Sequence, residues 1–124
     1  SFGQKSPGGL PTVVTVRSKY MLIGTSNGIV LIFDQYNEIR MVLGHGRRYK
    51  AFSEIPSRPD NFSGPVSAIA ISPECDSFLC GFANGRIEYW DLERGVCTKV
   101  LSDSHSKAIT FITFLEAGNS SSGT

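Results

Sequence analysis

A short pattern occurs twice in this chain of 124 residues and constrains its fold more than any other feature. Residues 24–34 read GTSNGIVLIFD, and residues 81–91 read GFANGRIEYWD. In both copies a glycine precedes an Asn-Gly pair, and an apolar run then ends in an aromatic residue followed by aspartate. The shared positions are Gly24, Asn27, Gly28, Phe33 and Asp34 in the first copy, and Gly81, Asn84, Gly85, Trp90 and Asp91 in the second.

The two Asn-Gly pairs predict β-hairpin turns of type I′. Both central residues of that turn need a positive φ, and Asn and Gly adopt it at low cost. Two equivalent hairpins in a short chain favour a modular, all-β array in which neighbouring units bury each other's faces. We therefore expect repeated sheets rather than a single closed barrel.

Alternating apolar runs around the repeats predict two units of four strands each. Breaker residues, mainly Gly and Pro, separate these units from the rest of the chain. The predicted segments are a linker (1–11), a first unit (12–43), an insertion (44–65), a second unit (66–101), a connection with the first strand of a further unit (102–116) and a flexible tail (117–124).

The overall composition limits the classes of function. Twelve Lys and Arg against 11 Asp and Glu give a net charge of +1, which does not favour a nucleic-acid binder. The apolar runs are too short to span a bilayer, and the chain does not open with a secretory leader. Together with the odd number of cysteines in the chain, these features predict a cytoplasmic protein with reduced thiols.

Residue types used in catalysis are present, but their spacing does not favour an enzyme. Asp34 and Asp91 each lie where a predicted strand turns, one whole unit apart, which predicts turn roles rather than a catalytic pair. Residues 103–105 read Asp-Ser-His, and three consecutive residues cannot form a hydrolase triad. The cysteines lack metal-ligand spacing; they are Cys75, Cys80 and Cys97. We predict no catalytic site, no metal and no cofactor.

The second copy, with Gly44-His45 after the first unit, resembles the WD-repeat β-propeller family. In that family a buried network joins a His, a Ser or Thr, an Asp and a Trp. Here Trp90 is present, but Cys80 and Asn84 stand at the hydroxyl and Asp positions. The resemblance implies a propeller fragment of about two four-stranded antiparallel blades plus one strand, held together mainly by apolar packing.

A more specific likeness rests on residues 79–87, LCGFANGRI, and on residues 9–14, GLPTVV. These runs are similar to the N-terminal propeller in the family of CORVET-specific vacuolar protein sorting subunits, the eighth in that naming series. The resemblance covers about residues 9–116 and is weakest over 46–64. It implies a cytosolic protein peripheral on early and late endosomal membranes. The implied partners are other tethering-complex subunits and an endosomal Rab GTPase.

The function implied is that of a non-catalytic interaction scaffold in vesicle tethering, endosome fusion and vacuolar or lysosomal protein transport. Loops 25–28, 44–64 and 82–85 are expected to share the partner-binding face. Basic residues beside an aromatic ring are common interface anchors, and the candidates are Arg47, Arg48, Tyr49 and Lys50. The same cations leave open a phosphoinositide-binding propeller with peripheral membrane contact. A generic WD-repeat scaffold in another complex is a further alternative.

Overall fold

The structure, a computed structural model, describes residues 9–56 and 64–101. Two antiparallel sheets follow one another along the chain. The first sheet contains β1 (Pro11–Arg17), β2 (Tyr20–Thr25), β3 (Ile29–Phe33), β4 (Ile39–Gly44) and β5 (Arg47–Tyr49). The second sheet contains β6 (Val66–Ile71), β7 (Ser77–Phe82), β8 (Ile87–Asp91) and β9 (Val96–Leu101). A short 3-10 helix, Phe52–Glu54, follows β5.

The all-β prediction, with two consecutive meanders, is confirmed. The first sheet contains one strand more than expected, because β5 is formed by residues that sequence analysis placed in the insertion. Three residues are too short to show a period of two. Predicted segments 1–8, 57–63 and 102–124, including the first strand of a further unit, lie outside the described residues.

The type I′ prediction for the two Asn-Gly turns is wrong. Only the glycines have positive φ, 77° at Gly28 and 94° at Gly85. The N–H of Gly28 donates to the carbonyl of Thr25 at 3.1 Å, so each hairpin has a type I turn closed by a left-handed glycine. Thr25 Oγ1 accepts the N–H groups of Asn27 and Ile29, which stabilises this three-residue connection in the first sheet.

Alternating side chains of β3 face opposite sides of the first sheet, as a strand requires. Val30 and Ile32 face the second sheet, while Ile29 and Leu31 lie in a separate cluster on the other side. The cluster between the sheets is here called the inter-sheet core. Its buried members are Leu22, Val30, Ile32, Leu43, Val66, Ile69, Ile71, Phe78, Cys80, Phe82, Trp90 and Leu92.

The first strands of the two sheets, β1 and β6, lie against each other. Thr12 Oγ1 donates to the carbonyl of Val66 at 2.7 Å, and Thr15 Oγ1 donates to the carbonyl of Ile69 at 3.2 Å. Gly24 is buried beside them, and a Cβ added to it would lie 2.4 Å from Val66 Cγ1. The two sheets therefore approach so closely at this point that only glycine fits.

Gly24→Ala is expected to separate the sheets locally and to lower the free energy of unfolding by about 1–3 kcal/mol, because Val66 and Val13 cannot both move away. Amide hydrogen exchange of β2 and β6 in the full-length protein measures this loss. Gly44→Ala is the matched control. The nearest atom to its added Cβ is the terminal Cδ1 of Ile29, which a side-chain rotation can move, so a smaller effect is expected. Equal protection in Gly24→Ala and wild type would contradict the described contact.

Candidate functional site

The hairpin formed by β4 and β5 carries the basic residues singled out in the sequence. Gly44 pairs with Arg47, so only His45 and Gly46 connect the strands. Their φ values of 55° and 78° are those of a type I′ turn. The turn type predicted for the Asn-Gly pairs thus occurs here instead. It folds the chain back on itself and places β5 at the outer edge of the first sheet.

His45 links this hairpin turn to the Asn27-Gly28 turn. Its Nε2 lies 3.2 Å from the carbonyl oxygen of Asn27, and its Nδ1 lies 2.6 Å from the hydroxyl of Tyr49. A carbonyl only accepts, so Nε2 carries the proton and Nδ1 accepts from Tyr49. Burial lowers the pKa of His45, although the Asn27 carbonyl and the charge of Glu88 partly oppose this. The neutral imidazole therefore holds both turns together.

The four candidate binding residues occupy different environments. Arg47 is exposed, lies 4.7 Å from the centroid of the Tyr49 ring and stands 3.9 Å from Glu54. Arg48 and Lys50 are also exposed, and the Lys50 N–H donates to Glu54 Oε1 at 2.8 Å. Tyr49 is only 3 % exposed, so its ring supports the hairpin from inside. Three cations, rather than cations with an aromatic anchor, are presented to solvent.

Arg48 also contributes to the contact between the two sheets. A Cβ added to Gly95, in the turn between β8 and β9, would lie 3.0 Å from Arg48 Cδ and 3.1 Å from Met41 Sδ. Gly95 has a φ of 69° and is buried. The aliphatic part of the Arg48 side chain therefore packs on the second sheet, although Arg48 as a whole is exposed to solvent.

The remaining repeat residues shape turns and cores. Asp34 Oδ1 accepts the N–H groups of residues 36 and 38, and Asp91 Oδ1 accepts those of residues 93 and 94. Phe33 is half-buried beside the cluster on the outer face of the first sheet. Asn84 Oδ1 accepts the N–H of residue 86, and buried Gly81 pairs with Ile87. These residues do not converge on one chemical centre.

A buried carboxylate beside Trp90 is the feature that sequence analysis missed. Glu88 is 2 % exposed, its Oε1 accepts the indole N–H of Trp90 at 2.9 Å, and its Oε2 lies 3.0 Å from Arg86 Nε. Trp90 also stacks on Phe78 with ring centroids 6.3 Å apart. Residues two apart on a strand share a face, so Glu88 could have been assigned to the buried side with Trp90.

The described residues offer little reactive chemistry. Burial, with the nearby charge of Glu88, raises the pKa of Cys80 well above its usual value and keeps it a thiol. Over residues 9–56 and 64–101, no group of three or more His, Cys, Asp or Glu side chains is placed to hold a metal ion. Across the same ranges, no helix is long and apolar enough to cross a membrane.

Residues 1–122 match a family model described as the Vps8 β-propeller. The chain belongs to this family. It is 36% identical over 121 residues to the vacuolar protein sorting-associated protein 8 homolog of Mus musculus, and 36% identical over 123 residues to that of Homo sapiens. Each match covers 94% of this chain but only 7% of the mouse protein and 8% of the human protein. The chain therefore spans a small part of its Vps8 relatives.

The fold also matches a solved propeller. The crystal structure of the Myceliophteria thermophila Cps50 (Swd1) β-propeller domain superposes with a TM-score of 0.59 and 16% identity. The match covers 75% of this chain and 24% of that domain. At this identity the likeness supports the fold alone, and the two sheets correspond to neighbouring blades. The first sheet is blade one and the second sheet is blade two.

His45→Asn is expected to remove a pH-dependent part of the stability of the Vps8 propeller. Because the pKa of His45 is lowered from 6.5 on folding, the unfolded chain binds more protons as pH falls, and stability declines below about pH 6.5. Asn tolerates the left-handed backbone but does not titrate. Hydrogen exchange of β4 and β5 at about pH 7.5 and 5.5 measures the difference. An identical pH dependence in wild type and variant would refute this role.

Glu88→Ala is expected to destabilise blade two by about 2 kcal/mol, because it leaves the buried indole N–H of Trp90 without an acceptor and the half-buried Arg86 without its carboxylate. Glu88→Gln retains an acceptor for the indole, so a smaller loss is expected. Urea unfolding followed by hydrogen exchange of β8 measures both. Glu93→Ala, on an exposed turn, is the control and should change stability by less than about 0.5 kcal/mol. Equal effects of all three substitutions would contradict the described network.

Proposed function

We propose that this chain contributes two propeller blades to a vesicle-tethering subunit and acts there as a non-catalytic protein-interaction scaffold. The subunit works on endosomal membranes, in endosome fusion and in protein transport to the vacuole or lysosome. Its partners are other tethering-complex subunits and an endosomal Rab GTPase. Family membership supports the sorting role, because the mouse and human relatives are vacuolar protein sorting-associated proteins.

The main support for a scaffold role is that buried contacts hold the exposed basic hairpin of β4 and β5 in place. β5 is fixed from inside by Tyr49, which is bonded to His45, and from the side by the packing of Arg48 against Gly95. Arg47 and Lys50 are thereby held at defined positions in solvent. A rigid framework that presents exposed charges gives specificity and fast association, which suits a tether that must select its partners.

A propeller enzyme would need convergent acids, a nucleophile or metal ligands on one face. Asp34 and Asp91 instead accept backbone N–H groups in separate turns. Cys80, the most buried thiol, is held in its protonated form inside the inter-sheet core. These positions support presentation of a surface rather than a chemical reaction.

The proposed role is tested with Arg47→Glu/Arg48→Glu in the full-length protein. Copurification with the other tethering subunits and with the GTP-bound Rab is expected to fall by about fivefold, which corresponds to about 1 kcal/mol of binding energy. Arg94→Glu/Lys99→Glu makes the same charge change on blade two and is expected to have no effect. Unchanged copurification in Arg47→Glu/Arg48→Glu would overturn the assignment of this hairpin as the contact.

Flotation with vesicles containing a phosphatidylinositol phosphate separates the proposal from the alternative of lipid binding. The scaffold role predicts equal flotation of wild type and Arg47→Glu/Arg48→Glu. Loss of flotation with retained copurification would favour the phosphoinositide-binding propeller, because each basic residue near an anionic surface contributes about 1 kcal/mol to membrane affinity.

A further inference from the structure

The outer edge of β4 is only half covered. β5 pairs with Val42, Leu43 and Gly44, whereas Ile39 and Met41 pair with β3 alone, and Arg40 between them is the extra residue of a β-bulge. The chain leaves this edge at Lys50, whose backbone N–H donates to the Glu54 carboxylate. The 3-10 helix of residues 52–54 then follows. Among the described residues, no strand therefore occupies the outer edge of the first half of β4.

A groove lies beside this uncovered edge. Its charged lining residues are Arg40, Arg48 and Lys50, all cations, and its volume is about 500 Å³. Arg40 has a carboxylate, that of Asp34, at 3.9 Å, which makes a weak exposed pair. The groove is not purely polar, since Ile39 at its margin is 42 % exposed. It combines a free strand edge, positive charge and an apolar contact.

A second depression, with a smaller volume of about 260 Å³, adjoins the first, and Arg40 lines both. Tyr36 and Lys19 are among its other lining residues, and Tyr36 is 72 % exposed. An exposed tyrosine beside an arginine is typical of protein interfaces, whose centres are enriched in these two residue types. The combined surface extends from the edge of β4 to the turn between β3 and β4, whose Asp34, Gln35 and Tyr36 line the second depression.

We propose that this outer groove of blade one binds an extended acidic segment of a partner protein. The segment adds to the free edge at Ile39 to Met41 as a short strand, and its carboxylates pair with Arg40, Arg48 and Lys50. Strand addition uses backbone hydrogen bonds for affinity and alternate side chains for specificity. The inference rests on the proposed scaffold function and specifies one partner chemistry for it. A compact phosphate would use the cations but neither the strand edge nor Ile39.

The test uses the purified full-length protein and a fluorescein-labelled peptide in which glutamate and valine alternate. Binding is expected to weaken by about tenfold in Arg40→Glu/Lys50→Glu, with little change in the control Arg94→Glu/Lys99→Glu. The same peptide with alternate amides N-methylated keeps its charge but cannot pair as a strand. It is expected to bind about tenfold more weakly to the wild type. Equal urea-unfolding midpoints for the variants exclude a folding defect.

Three results would overturn the inference. The first is equal affinity of wild type and Arg40→Glu/Lys50→Glu for the peptide. The second is equal affinity of the methylated and unmethylated peptides, which would show that charge attraction alone, without strand pairing, accounts for the binding. The third is binding of the wild type to vesicles containing a phosphatidylinositol phosphate without any binding of the peptide. Because the assay contains no tethering subunits, a wild-type protein that copurifies with those subunits but does not bind the peptide refutes this inference alone. A wild-type protein that binds the peptide but does not copurify with the subunits refutes the proposed function alone.

Discussion

Apolar contact between the facing sides of two sheets is the interaction on which the rest of the structure depends. Each sheet has a buried face formed by alternate residues of its strands, and these faces share the inter-sheet core. Burial of large side chains such as Trp90 and Phe78 supplies the main driving force, since each aromatic ring removes a large apolar area from water. The close approach at Gly24 and Val66 fixes how the two sheets meet.

Buried polar groups add specific hydrogen bonds to this apolar contact. Glu88 lies buried on the face of blade two that packs on blade one, and Trp90 and Arg86 satisfy its two oxygens. On blade one, His45 joins two turns and holds Tyr49 inside the hairpin. Buried groups that are fully paired favour one arrangement over its competitors. The same pairing keeps the basic residues of the hairpin in place, which connects the core to the surface proposed for partner binding.

The repeats and alternation were sufficient to predict the two sheets and the order of their strands. Short apolar runs bounded by turn residues are a useful strand signal, and they located the segments that became β2, β3, β7 and β8. The predicted turn type was wrong because each Asn-Gly pair lies in a three-residue connection, in which the glycine N–H donates to the carbonyl of Thr25 or of Phe82. β5 was missed because it is short and depends on the reversal at His45 and Gly46. The burial of Tyr49 follows from that reversal and could not be derived from composition.

The two sheets stabilise each other by direct packing. A double-mutant cycle at Gly24 and Val66 measures this packing, with unfolding free energies from hydrogen exchange of the full-length protein. Gly24→Ala is expected to cost about 1 kcal/mol less in a Val66→Ala background, because Val66→Ala removes Cγ1, the nearest of the atoms that the added methyl group meets. Effects that add within about 0.5 kcal/mol would show that the two residues do not touch, and would contradict the described packing of the blades.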